Sequence, residues 1–376
     1  MYHLYRNLAR SFDVEIVSLC NHEEAGVDEW IAPGLREIRI PKSESHHLKE
    51  TEYSRSVGWI PITDIAMPIL FNETPEYTAA LSSAAANAFA VVASHPYAVG
   101  AIHECARDKP LWFEAHNVEY ELKRAMLPDN TAGRHLLDVV KEAEAQAWGS
   151  AKLIYACTQA DITCLADLYG TTSALTLEVP NGVCVTGVSA TSEADRCALK
   201  ERVGLSASKV ALFLGSWHGP NLSAVERILQ VATILPKVAF LIIGNVGLAF
   251  RERSIPSNVI MTGAVKDEEK DVLQGAADIA LNPMGEGSGS NLKMLDYAVA
   301  GLPILSTRFG ARGFAFVPGV HYLAAELEYF PLELTTALAL SSGRATIAAA
   351  ARELVLSRYS WDSIGRNFIR SIAELN

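Results

Sequence analysis

The chain has 376 residues, 49% hydrophobic and 20% charged, which is the balance of a globular protein with room for about two domains. Both halves carry enough apolar residues to fill a core, so wholesale disorder is excluded. A formal charge of −11 argues against a dedicated nucleic-acid binder.

In chain order, residues 1–10 (MYHLYRNLAR) read as a helix with two arginines and not as a signal peptide. Residues 14–19 (VEIVSL) are rich in β-branched side chains and predict a strand. The charge-free stretch 77–103 holds Ser82, Asn87 and Pro96 and changes character near 88–93. It reads as a helix ending in a buried strand, not as a membrane span of ~20 apolar residues. Residues 111–114 and 153–156 are short apolar strands, and Leu136, Val140, Ala143 and Ala147 line a helix face between them. Val179-Pro180-Asn181-Gly182 is a turn signal and marks the domain boundary. A charged helix follows over 193–203. Strands are then predicted at 210–214, 239–243, 259–262, 278–281 and 304–306, and Leu222, Val225, Ile228, Leu229 and Ala232 form one helical face among them. Helices over 346–356 and 361–375 close the chain. Short apolar strands separated by amphipathic helices predict an α/β protein with parallel sheets covered on both faces. The six cysteines form no C-x-x-C pair, so reduced thiols in a cytoplasmic protein are expected.

Residues 282–303 (N-P-M-G-E-G-S-G-S-N-L-K-M-L-D-Y-A-V-A-G-L-P) are the richest segment. A strand ending at Leu281, a glycine-rich loop and a helix starting near Asn291 would aim free backbone N–H groups and a positive helix end at one point, which suits a phosphate. Lys293 could neutralise the same anion, and Asp296, one turn on, could accept hydrogen bonds from ribose hydroxyls. The rival reading is a plain βα turn whose glycines serve tight packing. The loop is no Walker A sequence, because Lys293 does not follow a glycine, and Gly285, Gly287 and Gly289 do not fit G-x-G-x-x-G. Residues 215–221 form a second loop with Pro220 suited to a first helical turn, at the carboxyl edge where open α/β sheets bind ligands. His116 follows another strand, where an imidazole can bond a substrate hydroxyl or shuttle a proton; the alternative is a structural histidine. His46 and His47 read as solvated loop residues, and Glu144 as a solvent-edge glutamate beside an apolar stripe.

In order and spacing these segments resemble the family-four glycosyltransferases of the GT-B fold over nearly the whole chain. The donor loop G-S-G-[ST]-N-L-K-M-L-D stands at 287–296 and E-x-H-N-V-E at 114–119. V-P-N-G-V lies at 179–183, and F-L-G-S with P-N at 213–221. A-G-L-P, S-T and G-A-R-G-F run through 300–314, with Y-S-W-D at 359–362. The resemblance implies two Rossmann-like domains facing a cleft. An acceptor-side domain would span 1–184, a nucleotide-sugar domain 185–357, and a last helix, 358–376, would cross back. It implies a retaining, metal-independent glycosyltransferase with no cofactor beyond its substrate. The donor would be a nucleoside-diphosphate sugar, UDP favoured over GDP. The acceptor would be a glycan, lipid or small molecule, in surface polysaccharide or glycoconjugate synthesis. Gly215 and Ser216 would lie near the diphosphate, and Glu286, Gly287, Ser288, Gly289, Ser290, Asn291 and Lys293 around the donor. Asp296 would hold the ribose and His116 the transferred sugar, with His116 and Lys293 catalytic.

Three departures follow. The family's two glutamates fall at Ser288 and Asp296, so the first carboxylate is missing, with Glu286 two residues away. The usual arginine–lysine pair gives way to Trp217 and His218, which leaves Lys293, Arg308 and Arg312 to hold the diphosphate. Related chains open with a strand and glycine-rich loop ahead of a helix like residues 2–10, so the first domain is expected to lack both, and activity of this chain is left open. A catalytically silent GT-B protein that binds sugar or a partner, and a nucleotide-sugar epimerase, are the alternatives. A cytoplasmic location is expected, with peripheral contact at the inner face of a membrane left open and no nucleic-acid partner.

Overall fold

The computed structural model describes residues 2–185, 187, 190–287 and 289–373. The chain divides into two units, Met1–Pro180 with Gly365–Asn376, and Asn181–Ile364.

Unit 1 opens with helix α1 (Tyr2–Leu8) and strands β1 (Val14–Cys20), β2 (Val27–Ala32) and β3 (Leu35–Pro41). Helices α2 (Glu44–Ser56), α3 (Thr63–Leu70) and α4 (Pro75–Ala86) lead to β4 (Val91–Ser94). The series α5 (Val99–Cys105), β5 (Leu111–Ala115), α6 (Glu119–Met126), α7 (Thr131–Ser150), β6 (Leu153–Ala156), α8 (Gln159–Tyr169) and β7 (Leu175–Glu178) completes it. The strands form two sheets. β4-β5-β6-β7 is wholly parallel, whereas in β1-β3-β2 the pair β1–β3 is parallel and β2–β3 antiparallel. Among the described residues, β1 and β4 each lie at the edge of their own sheet. The β2–β3 hairpin departs from a purely parallel series. It interleaves Asp28, Glu29, Arg36, Glu37 and Arg39 with apolar residues, and Arg36 bridges Asp28 at 2.7 Å and Glu15 at 2.8 Å on its wet face. The charge-free stretch is α4 followed by β4, which is half-buried instead of buried. Phe113, Ala147 and Ile154 lie at the centre of the core.

Unit 2 runs α9 (Glu193–Arg202), β8 (Lys209–Leu214), α10 (Gly219–Ile234), β9 (Val238–Ile243), β10 (Val259–Gly263), α11 (Asp267–Gly275) and β11 (Ile279–Asn282). Then come α12 (Lys293–Val299), β12 (Ile304–Ser306), β13 (Leu323–Ala324), α13 (Phe330–Ala339) and α14 (Ser341–Leu354). The six strands are all parallel in the order β10-β9-β8-β11-β12-β13. Val210 and Leu212 feed the core on one face of β8, and Ala211 and Phe213 the core on the other, which is why the strand reads as an unbroken apolar run. Strand order reverses between β8 and β11, and the carboxyl ends of such a pair form the crevice where doubly wound sheets bind ligands.

Helix α15 (Trp361–Ala373) is shared: Trp361 to Ile364 belong to unit 2, and Gly365 onward to unit 1. Phe368 packs in unit 1 with its ring 4.7 Å from that of Tyr155. No helix among the described residues is long and apolar enough to cross a membrane.

Candidate functional site

At the reversal point of unit 2, the loops after β8 and β11 enclose a pocket of about 350 Å³. Gly215, Ser216, Gly287, Ser290, Asn291 and Lys293 meet on its wall, joined by Asn221 and Arg312. Gly215 is required by close packing, since a Cβ there would stand 2.8 Å from the Phe213 ring. Gly287 has φ +127°, a backbone that side chains resist, and a Cβ there would meet the Arg312 guanidinium at 2.7 Å.

Some of the backbone donors expected to face this pocket are already engaged. α12 has seven residues and starts at Lys293, two residues on from Asn291. In its first turn Met294 N–H donates to the Asn291 carbonyl at 3.1 Å and Leu295 N–H to that of Leu292 at 2.9 Å. The Gly215 N–H is spent on the Ile243 carbonyl at 2.9 Å, and the Trp217 N–H on Asn245 Oδ1 at 2.6 Å. Asn291 is a brace: its Nδ2 donates to Asn282 Oδ1 at 3.1 Å and to the Gly310 carbonyl at 2.8 Å. Buried Asn282 donates to the same carbonyl at 2.8 Å, so two amides pin the glycine loop to the segment that carries Arg312.

Side chains supply positive charge as well. Lys293 Nζ donates to Asn221 Oδ1 at 2.8 Å and lies 4.9 Å from the centroid of the Phe213 ring. Burial and, less strongly, the neighbouring Arg312 lower its ammonium to a pKa of about 8 against a smaller opposing pull from Asp296. Arg312 lies over Phe309 at 4.3 Å and donates to that residue's carbonyl at 3.2 Å. Two cations facing one small pocket suit a multiply charged anion.

The remaining expected residues fall elsewhere. Glu286 is exposed and accepts from Ser223 Oγ on α10, and neither it, Gly289 nor Asp296 lines the pocket. Asp296 is half-buried; burial raises its carboxyl, with Lys270 opposing. Ser288 lies outside the described residues. Arg308 is exposed and does not line the pocket, so of the two candidate arginines only Arg312 reaches it. Asn221, the last residue of the second loop and the Asn of its P-N pair, is given no role of its own by the sequence, yet it lines the pocket and accepts from Lys293.

His116 belongs to unit 1, at the carboxyl end of β5. Its Nε2 is 3.1 Å from Ser94 Oγ and 3.4 Å from Glu114 Oε2. Tyr5 OH donates to Glu114 at 2.8 Å and lies 2.9 Å from Tyr155 OH. Burial pushes the Glu114 carboxyl up, but His116, Ser94 and Tyr5 together outweigh it and hold it below its ordinary value. His95, which sequence reading passed over, stacks on His116 at 4.3 Å with its own backbone at φ +66°. Its Nδ1 lies 3.0 Å from Glu119, which also accepts from Tyr97 OH at 2.7 Å. Two imidazoles, each backed by a buried carboxylate, thus share one sheet edge. His46 is fully buried beside Thr74, and Glu144 is fully buried too; both correct the solvated readings. Among the described residues no three His, Cys, Asp or Glu side chains gather as metal ligands would.

Residues 208–353, within unit 2, match the family model Glycosyl transferases group 1. Among solved structures, a sucrose-phosphate synthase from Thermosynechococcus elongatus is similar with a TM-score of 0.74 at 15% identity, over 99% of this chain and 91% of that one. Anabaena HepE in complex with UDP and glucose is similar at 0.66 and 15%, over 99% and 95%. WaaG, a glycosyltransferase involved in lipopolysaccharide biosynthesis, is similar at 0.63 and 17%, over 98% and 94%. No curated protein sequence matches. At such identities the likeness shows the fold: mixed α/β with parallel sheets, the GT-B fold of those enzymes.

Proposed function

We propose that this chain is a retaining, metal-independent glycosyltransferase whose unit 2 binds a nucleoside-diphosphate sugar. The observation that carries the reading is the pocket at the β8/β11 reversal, where Lys293 and Arg312 face one cavity within the segment that matches the family model. Departure of a nucleoside diphosphate develops charge on the leaving phosphate, and two fixed cations stabilise it. Retention is consistent with the leaving phosphate taking the acceptor's proton on the face it departs from. UDP is the favoured base, as in the HepE complexes. Gly215, Ser216, Gly287 and Ser290 are assigned to the walls around the diphosphate, Glu286 and Gly289 to the outer loop, and Asp296 to the ribose. Asn291 acts by holding the loop. His116 is assigned to a hydroxyl of the transferred sugar, with Glu114 fixing its ring. The acceptor is a glycan, lipid or small molecule, in surface polysaccharide or glycoconjugate synthesis, with unit 1 as the acceptor side and a cytoplasmic setting that includes peripheral membrane contact.

Incubating the chain with UDP-sugars, with and without glycan acceptors, and following the products by NMR tests the reading. Release of UDP with a new glycosidic linkage of unchanged anomeric configuration is expected, undiminished by EDTA. An epimer formed from donor alone would replace transfer by epimerisation, and an inverted linkage would remove the retaining assignment.

A further inference from the structure

Unit 2 has a second, larger pocket of about 800 Å³ at the opposite end of its sheet. Lys209 opens β8, Asp278 precedes β11 and Pro303 precedes β12, so this wall is the amino edge of the strands, remote from the carboxyl edge that carries the β11 loop. Arg196 reaches it from α9, and Arg344 and Arg352 from α14, whose Ala345, Ala348 and Ala349 supply an apolar floor.

The charges on this wall do not cancel. The buried acid, Asp278, is committed: its Oδ2 accepts Lys200 Nζ at 2.6 Å and the Val210 N–H at 2.7 Å, and Lys209 lies 4.0 Å from its other oxygen. Glu193 pairs with Arg196 at 2.8 Å, but its side chain is 75% exposed, and Glu353 is exposed as well. The arginines are mostly buried, Arg344 to 8% exposure. Arg344 is held by carbonyls, those of Leu340 at 2.9 Å and Asp278 at 3.4 Å, and Arg352 donates to the carbonyl of Val299 at 3.0 Å. Arg196 Nε is buried with no acceptor among the described residues. Burial depresses the Arg344 guanidinium; Asp278 and, less strongly, Glu193 offset part of that, and Arg196 adds to it. A buried guanidinium met by carbonyls, as at Arg344, beside the Arg196 Nε that has no acceptor among the described residues, is costly until an anion joins them.

We propose that this amino-edge pocket binds a phosphomonoester, its phosphate between Arg196 and Arg344 and its body on the alanine floor. A phosphate offers several oxygens to planar forked donors, which a single carboxylate cannot match. The cavity is far larger than a bare phosphate, so the ligand has a body, and the floor gives that body an apolar face. The site uses none of the residues assigned to sugar transfer and stands independently of that reading.

Phenyl phosphate and inorganic phosphate are the probes, titrated calorimetrically into the full chain carrying Lys293→Ala so that the other cationic pocket is weakened. Saturable binding is expected, tighter for phenyl phosphate than for inorganic phosphate, with slowed hydrogen exchange over residues 344–354. Arg196→Met is expected to weaken it about tenfold, the loss of one charge-assisted hydrogen bond. Arg344 also holds two carbonyls, so Arg196, whose ion pair is at the surface, is the cleaner variant; an unchanged melting temperature checks that it folds. No saturable heat, or binding indifferent to Arg196→Met, would overturn the site, and equal affinity for both probes would overturn the body on the floor.

Discussion

Lys293 is the residue on which the donor pocket turns, because its ammonium is both buried and crowded by Arg312. With a pKa of about 8, it is charged below that pH and loses its proton above it. An anion that needs the charged form should bind with constant affinity below pH 8, then weaken as pH rises, up to about tenfold per unit. Arg312→Ala removes a like charge, so the midpoint should move upward even as affinity falls. Titrations of UDP from pH 6.5 to 9.5 check both, and a flat profile would remove Lys293 from the anion. Lys293→Ala should cost about 1.5–3 kcal/mol of binding, roughly 10- to 100-fold. Lys293 and the glycines around it were readable from sequence because strand, loop and cation are contiguous. Arg312 was readable only as one of three candidates, since the contact that brings it to Lys293 crosses from another loop. Which of the amides at the start of α12 are engaged was not readable, because it depends on where the helix starts.

At the level of elements, α6 begins against a carboxylate from α7. Glu144 accepts from the N–H groups of Glu119 at 2.6 Å and Tyr120 at 3.2 Å, and from Tyr169 OH at 2.8 Å. Burial still lifts its pKa to about 7 from an ordinary 4.5, the hydrogen bonds offsetting only part of that. The folded chain therefore holds a proton that the unfolded chain has lost between those values, so this group makes stability fall as pH rises from about 4.5 to 7. Urea unfolding at pH 5 and pH 7.5 should show that slope, and Glu144→Gln should flatten it; the same slope in the variant would contradict the assignment. The solvent-edge reading failed because Glu144 borders the stripe of Val140 and Ala147, and only the partner helix and Tyr169 decide whether such a border position is wet. Strands 153–156 and 304–306 were legible to the residue because they are apolar and buried on both faces. β2 and β3 were not, because their charged residues pair across a wet face.

At the scale of the molecule, two cores of separate chain segments are joined through α15, whose later residues return to unit 1. Phe368 and Ile372 are buried there, Phe368 against Tyr155. Phe368→Ala should cost about 3–5 kcal/mol and raise hydrogen exchange in β6 and α1 while leaving β8 and β11 protected. Equal loss of protection in both units would mean that they unfold as one. The α/β class and the parallel sheet of unit 2 follow from the regular alternation after Val210; the division of unit 1 into two sheets rests on β1 and β4 each ending its own sheet, which no local pattern records.

The most direct test of the account is calorimetric titration of the chain with UDP, GDP and ADP, with and without EDTA, beside Lys293→Ala. The account predicts one site selective for UDP, unchanged by EDTA and weakened in the variant. No binding by any of the three nucleotides, or equal binding by Lys293→Ala, would contradict a nucleoside-diphosphate site at the β8/β11 reversal.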